Sequence, residues 1–262
     1  MKKTIFALAA VSLVTLSACT PKSNATLDDV INDIDPNYYA VSEAESEVSS
    51  EAEVKLDMNE VVKVEFCEKD TYTYDGQKTD YSYEYPRLNL PNVNLTNVND
   101  SIKNYCNALI SVEKKAMDEG RQIEMTKMGY SANAKNNVLS IVIRSEFGEQ
   151  FSLCKAVNIS VKTGAELTNN EVILAAGFTS TDGESKILNA AKDKFTQLYG
   201  VSDDYNTPDE ITAYERAKAA TELDFDVDMS LYFDQNGALK AMVRIYEPLT
   251  DDSYDYFEVK VA

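Results

Sequence analysis

The sequence predicts an α+β fold, a mostly antiparallel sheet packed against a few helices, over residues 54–262. It places this domain behind a signal peptide and a disordered linker. Three observations predict the fold: a strongly periodic helix at 97–118, runs of strands joined by short Asn and Gly turns, and successive helical stretches from Asn169 onward. About 209 residues suffice for one sizeable core or two small lobes.

In chain order, Val54 to Cys67 carries a strand with Val62, Val64 and Phe66 on one face. Thr71–Tyr74 and Tyr81–Tyr85 form a hairpin across Asp75-Gly76, with a long loop that runs on to Asp80. Pro86 and Pro91 break the pattern. From Asn97 to Asp118, Val98, Ile102, Tyr105, Leu109, Val112 and Ala116 recur at steps of four and three, which marks one buried helical face. Gly120 ends that helix. Strands follow at Ile123–Ala132, Val138–Phe147 across an Asn136-Asn137 turn, and Phe151–Val161. Helices are expected at Asn169–Ala176, at Gly183–Leu198 through Ile187, Leu188, Ala191 and Phe195, and after Thr207-Pro208-Asp209-Glu210. That last stretch combines an N-cap Thr, Pro at the first helical position and a capping-box Glu. The chain closes with strands at Leu223–Phe233, Ala238–Tyr246 and Tyr254–Val261, the first two joined at Asn236-Gly237.

The N-terminus says where the protein works. Lys2 and Lys3 precede an apolar stretch from Ile5 to Leu16, and Leu16-Ser17-Ala18-Cys19 follows. This order makes a signal peptide over residues 1–18. Its ending resembles the bacterial lipobox, in which the cysteine thiol is lipidated and becomes the first residue. Cys19 is therefore the expected lipid-attachment site, placing the chain on the extracytoplasmic face of the cell membrane. The apolar stretch is shorter than the ~20 residues a transmembrane helix needs. Residues 19–53 are small and acidic, as in Ser42–Glu53, and read as a flexible linker reaching on the order of 30 Å.

The formal charge is −19, and near −21 once Lys2 and Lys3 leave with the signal peptide. Nucleic acid is excluded as a partner, because phosphate binding needs clustered Lys and Arg. A basic partner would be attracted from a distance. The same acidity also serves the solubility of an exported domain. Cys67, Cys106 and Cys154 permit one disulfide at most. Three pairings are open, and three free thiols are the plain reading.

Histidine is absent, so a Ser-His-Asp or Cys-His arrangement is excluded, as is any histidine base. No phosphate loop, dinucleotide turn or metal-ligand spacing is present. No catalytic residue, metal or cofactor is expected, and the chain reads as a non-enzyme. Two features remain as candidate partner-binding residues. Asp224, Asp226 and Asp228 fall on one face of the expected strand at 223–233, where they would welcome a cation or basic partner, or form a solvated outer face. Tyr72, Tyr74, Tyr81, Tyr83 and Tyr85 share parity within the hairpin. They offer either an aromatic contact face or core packing.

Several short motifs also resemble a known domain. These are Tyr83-Glu84-Tyr85-Pro86-Arg87-Leu88 with Val98-Asn99-Asp100-Ser101-Ile102, Val138-Leu139-Ser140-Ile141, Val161 to Thr168, and Leu231 to Gly237 with Ile245-Tyr246-Glu247-Pro248. Together they resemble the extracytoplasmic domain of the DUF4163/DUF3298 type, shared by RsiV-like anti-sigma factors and some peptidoglycan deacetylases. Phe147-Gly148-Glu149-Gln150-Phe151 stands where that family often carries Gly-Gly-Ala-His, so any role of that loop does not carry over. The resemblance implies an α+β envelope domain that binds a ligand, which in RsiV-like proteins is lysozyme. The expected function is thus a cell-surface lipoprotein that binds a basic, lysozyme-like protein or cell-wall glycan. A carboxylate-based wall hydrolase and a structural or sensory lipoprotein are the alternatives.

Overall fold

Two sheets and five α-helices make up the described part of the chain. The computed structural model describes residues 54–147, 151–250 and 253–262, and only the backbone of 151–153. Cys19, the signal peptide and the linker lie outside the described residues. No described helix is long and apolar enough to cross a membrane.

The first sheet has five strands, which lie side by side in chain order. A one-turn helix α1 (Met58–Val61) leads into β1 (Val62–Tyr74), which pairs antiparallel with β2 (Gln77–Leu88). Tyr74 faces Gln77, so the loop is Asp75-Gly76 alone, with φ 49° and 76°. Both angles are left-handed, as the tight hairpin turn requires. The longer loop expected from the sequence is corrected: Lys78, Thr79 and Asp80 extend β2. Pro86 also lies within β2, not beyond it. It lacks an N–H for the ladder, and the register slips between Val64 and Phe66, opposite it. The first strand begins later than expected, because Asp57 caps α1 by accepting from the Asn59 amide at 3.0 Å.

Helix α2 (Thr96–Asp118) then crosses over to β3 (Met125–Lys135), which runs parallel to β2 through Ser82 and Tyr83. Asn99 on α2 serves the last residue of β2 as a neighbouring strand would. Its Oδ1 accepts from the Leu88 amide at 2.8 Å, and its Nδ2 donates to the Leu88 carbonyl at 3.0 Å. Antiparallel β4 (Val138–Phe147) and β5 (Phe151–Ser160) complete the sheet. Asn136 and Asn137 form the expected turn, at φ 51° and 60°.

Helices α3 (Asn169–Ala175), α4 (Ser180–Tyr199) and α5 (Pro208–Asp224) follow, the first and last opened by Thr–Glu capping boxes. They pack on the second sheet, β6 (Ser230–Phe233), β7 (Leu239–Tyr246) and β8 (Tyr254–Lys260), in that order.

Two cores result. The first lies between α2 and the sheet face bearing Tyr81, Tyr83, Tyr85, Leu139, Ile141 and Ile143. The second joins Ile187, Phe195 and Tyr214 to Leu231, Ala241, Val243 and Ile245. Strand β4 serves both: its odd residues enter the first core, and Val138 enters the second. Between the cores, the free edge of β6 meets two polar side chains of the first sheet. Asn158 Nδ2 donates to the Leu231 carbonyl at 2.6 Å, and the Phe233 amide donates to Ser140 Oγ at 3.1 Å. Ser140 Oγ in turn donates to Asn158 Oδ1 at 2.7 Å. Backbone groups that an edge strand would leave to water are thus satisfied inside the protein.

One buried charge stands apart. Glu113 on α2 is 4% exposed, and its Oε2 accepts from the Glu124 amide at 2.9 Å. Burial pushes its carboxyl up, and the amides of Glu124 and Met125 offset this only in part. The folded state therefore holds this proton more tightly than the unfolded chain does. Its stabilising effect is full at low pH and is lost as pH rises through the folded pKa. Glu113→Gln should stabilise the protein at pH 7, because glutamine is neutral without taking up a proton. Denaturation against pH should show that gain shrinking as the pH falls through the folded-state pKa of Glu113.

Candidate functional site

The expected aromatic face of the hairpin turns inward. Tyr81, Tyr83 and Tyr85 do share one face, but α2 covers it and all three are buried. Each hydroxyl has a partner: Tyr83 donates to the Met125 carbonyl at 2.8 Å, Tyr85 to Asn107 Oδ1 at 3.1 Å, and Tyr81 to Glu68 Oε1 at 3.2 Å. Tyr72 packs half-buried against the same core, and Tyr74 alone is exposed. These five residues therefore present no continuous aromatic face to solvent.

The expected aspartate strand is also corrected. Helix α5 continues through Asp224, and only Ser230–Phe233 is strand. Tyr214, Ala217 and Thr221 bury one side of that helix, and Thr221 Oγ1 accepts from the Tyr246 amide at 3.0 Å. These contacts hold helical geometry to its last turn. A turn follows, closed by the Val227 amide on the Asp224 carbonyl at 3.0 Å, with Asp228 at φ 55°. The aspartates are therefore not one face of a strand.

The turn nevertheless brings two of them to one place. Asp228 Oδ2 accepts from Arg244 Nη2 at 2.8 Å and from the Tyr256 hydroxyl at 3.2 Å. Asp224 Oδ2 accepts from the Tyr246 hydroxyl at 2.7 Å. The Arg244 guanidinium lies 4.3 Å from the Tyr254 ring centre and 5.8 Å from that of Tyr256. Strand register explains the cluster: Arg244 faces Tyr256, and Tyr246 faces Tyr254, on the β7–β8 pair. Residues opposite one another in a sheet share a face, so β8 supplies rings to β7's cation. Sequence reasoning missed Arg244, Tyr246, Tyr254 and Tyr256. The signal was present in the shared parity of Tyr254 and Tyr256 beside the closing hairpin.

Farther along the second sheet, an arginine of the first sheet, Arg144 of β4, is held in the same manner. Arg144 Nη2 donates to the Tyr232 hydroxyl at 2.8 Å and to Glu258 Oε2 at 2.6 Å, and Lys240 Nζ meets Glu258 Oε1 at 3.0 Å. Tyr232 also donates to Glu258. Burial pushes the Glu258 carboxyl up, but the hydrogen bonds from Tyr232, Lys240 and Arg144 outweigh it and hold it below the usual range. Burial raises the Tyr232, Tyr246 and Tyr256 hydroxyls, so all three stay neutral at physiological pH.

Asp226 lines a cavity of about 200 Å³ with Asn169, Asn170, Ile173, Glu184, Phe225 and Met229. This is smaller than the ~300–1,000 Å³ of a usual small-molecule site. Among the described residues, no group of three or more Cys, Asp and Glu is placed to hold a metal ion. Cys67, Cys106 and Cys154 are free thiols, and burial pushes Cys106 up to about 12 and Cys154 up to about 11. Neither of those two is a thiolate at neutral pH, which leaves them poor nucleophiles. No protein-family model matches this chain, and neither does any curated protein.

Proposed function

We propose that this chain is a lipid-anchored cell-surface protein that binds a basic, lysozyme-like protein and performs no chemistry on it. Cys19 would carry the lipid, and the acidic segment to residue 53 would give reach from the membrane. The observation that carries the binding reading is the corner bearing Asp224, Asp226 and Asp228. Arg244, the cation paired with Asp228, shows only 11% of its side chain to solvent, whereas the Asp228 side chain is 70% exposed. What this corner presents outward is negative charge beside tyrosine. On a chain of net charge −19, that attracts a basic surface and speeds encounter.

A second reading, a carboxylate-based hydrolase of cell-wall glycan, is favoured by one observation: Glu184 and Asp226 line the same cavity. One titration separates the two. Full-length protein is mixed with lysozyme and with peptidoglycan fragments at 50 mM and 500 mM salt. The binding reading expects saturable lysozyme binding, weakened at least tenfold by salt, with no sugar released. Released sugar that disappears in Glu184→Gln or Asp226→Asn would establish the second reading instead. The absence of any response would leave a structural or sensory lipoprotein.

A further inference from the structure

The geometry points to the corner formed by the end of α5 with Leu249 and Tyr254 as the docking surface. It fits an apolar anchor of a basic protein, flanked by lysine or arginine. This deepens the basic-partner reading above and rests on it.

Four large apolar side chains stand in water here: Leu223 is 76% exposed, Leu249 58%, Tyr254 41% and Val227 38%. None belongs to either core. Hydrogen bonds and a ring contact hold their segments together. The Val227 amide bonds back to Asp224, next to Leu223. Asp224 accepts from Tyr246, whose ring centre is 5.4 Å from that of Tyr254. Leu249 lies three residues beyond Tyr246, and next to it the Thr250 carbonyl accepts from Arg216 of α5 at 3.4 Å.

Leu249 carries a second mark. Its φ is 65°, in the left-handed region that leucine rarely takes. An unfavourable backbone here holds an apolar side chain out into solvent, where it adds nothing to either core. Such strain persists where something other than packing requires it. Exposed tyrosine and leucine within a polar rim are also how interface anchors present themselves.

Charge selects the occupant. Asp224 accepts from Tyr246, Asp228 from Arg244 and Tyr256, and Asp226 adjoins Val227 in sequence, set against Arg244 and Arg216. The rim therefore favours a cationic partner. It repels an anionic lipid surface, and equally a second copy of this acidic chain.

The test uses full-length protein, two variants and two basic probes, lysozyme and cytochrome c. Leu249→Gly removes the anchor and also relaxes the left-handed backbone, so its Tm should equal or exceed that of the wild type. Leu223→Lys changes a side chain that is three-quarters exposed, so the fold should tolerate it. Each variant should weaken binding of a probe at least fivefold. Wild-type binding that both variants retain unchanged would overturn this surface while leaving the basic-partner reading intact. A wild type that binds neither probe would overturn both.

Discussion

Asn158→Ala should cost about 3 kcal/mol of stability, and Ser140→Ala about half as much. Asn158 is 5% exposed; it donates across the seam between the sheets to the Leu231 carbonyl and accepts from Ser140 of its own sheet. Its loss strands the Leu231 carbonyl and the Ser140 hydroxyl in a place water does not reach. An unsatisfied buried polar group costs roughly 1–3 kcal/mol, and Asn158 supports two. Ser140→Ala strands the Phe233 amide and one acceptor site of Asn158, which still holds Leu231. Because the two residues belong to one network, their effects should not add. Urea denaturation of both single variants and the double should give a coupling of about 1 kcal/mol, with the double less unstable than the sum. Simple additivity would mean that the two residues anchor β6 independently.

This seam also marks what the sequence could and could not disclose. Helix α2 was legible because its apolar residues recur at helical spacing over six turns, but its buried face runs through Cys106, Ile110 and Glu113 and leaves the expected Val112 exposed. Strands β3 to β5 were legible because Asn136 and Asn137 announce the turn and alternation carries the rest. Local signals failed where two of them competed. Leu223–Phe233 alternates like a strand, yet its first two residues close a helix whose buried side is set by Tyr214, Ala217 and Thr221. The parity of Tyr81, Tyr83 and Tyr85 was read correctly. Which layer covers that face is a tertiary fact, and α2 supplies it. The Arg244 cluster needs the β7–β8 register, the helix-to-strand turn and a left-handed Asp228 all at once, so no single window of sequence contains it.

Phe195→Ala should cost about 4 kcal/mol, the usual scale for removing a buried ring, and should lower one transition without splitting it. Phe195 is 1% exposed at the centre of the second core, with edge-on contacts to Tyr199 at 5.2 Å and Tyr214 at 5.3 Å. Ile102→Ala, fully buried in the first core, should cost about 3 kcal/mol. If the cores were independent, each variant would melt its own half early. The structure argues against that, since β4 feeds both cores and the edge of β6 is completed by Ser140 and Asn158 of the other sheet. Melting the second core would strand polar groups of the first, which makes separate unfolding costly. The chain has no tryptophan and 16 tyrosines spread over both halves, so tyrosine fluorescence and far-ultraviolet circular dichroism report on the whole. Their curves should coincide for both variants. Two transitions in Phe195→Ala would show that the second sheet, with its Asp–Tyr–Arg corner, loosens as its own unit, and basic-partner binding would then fall at the first transition.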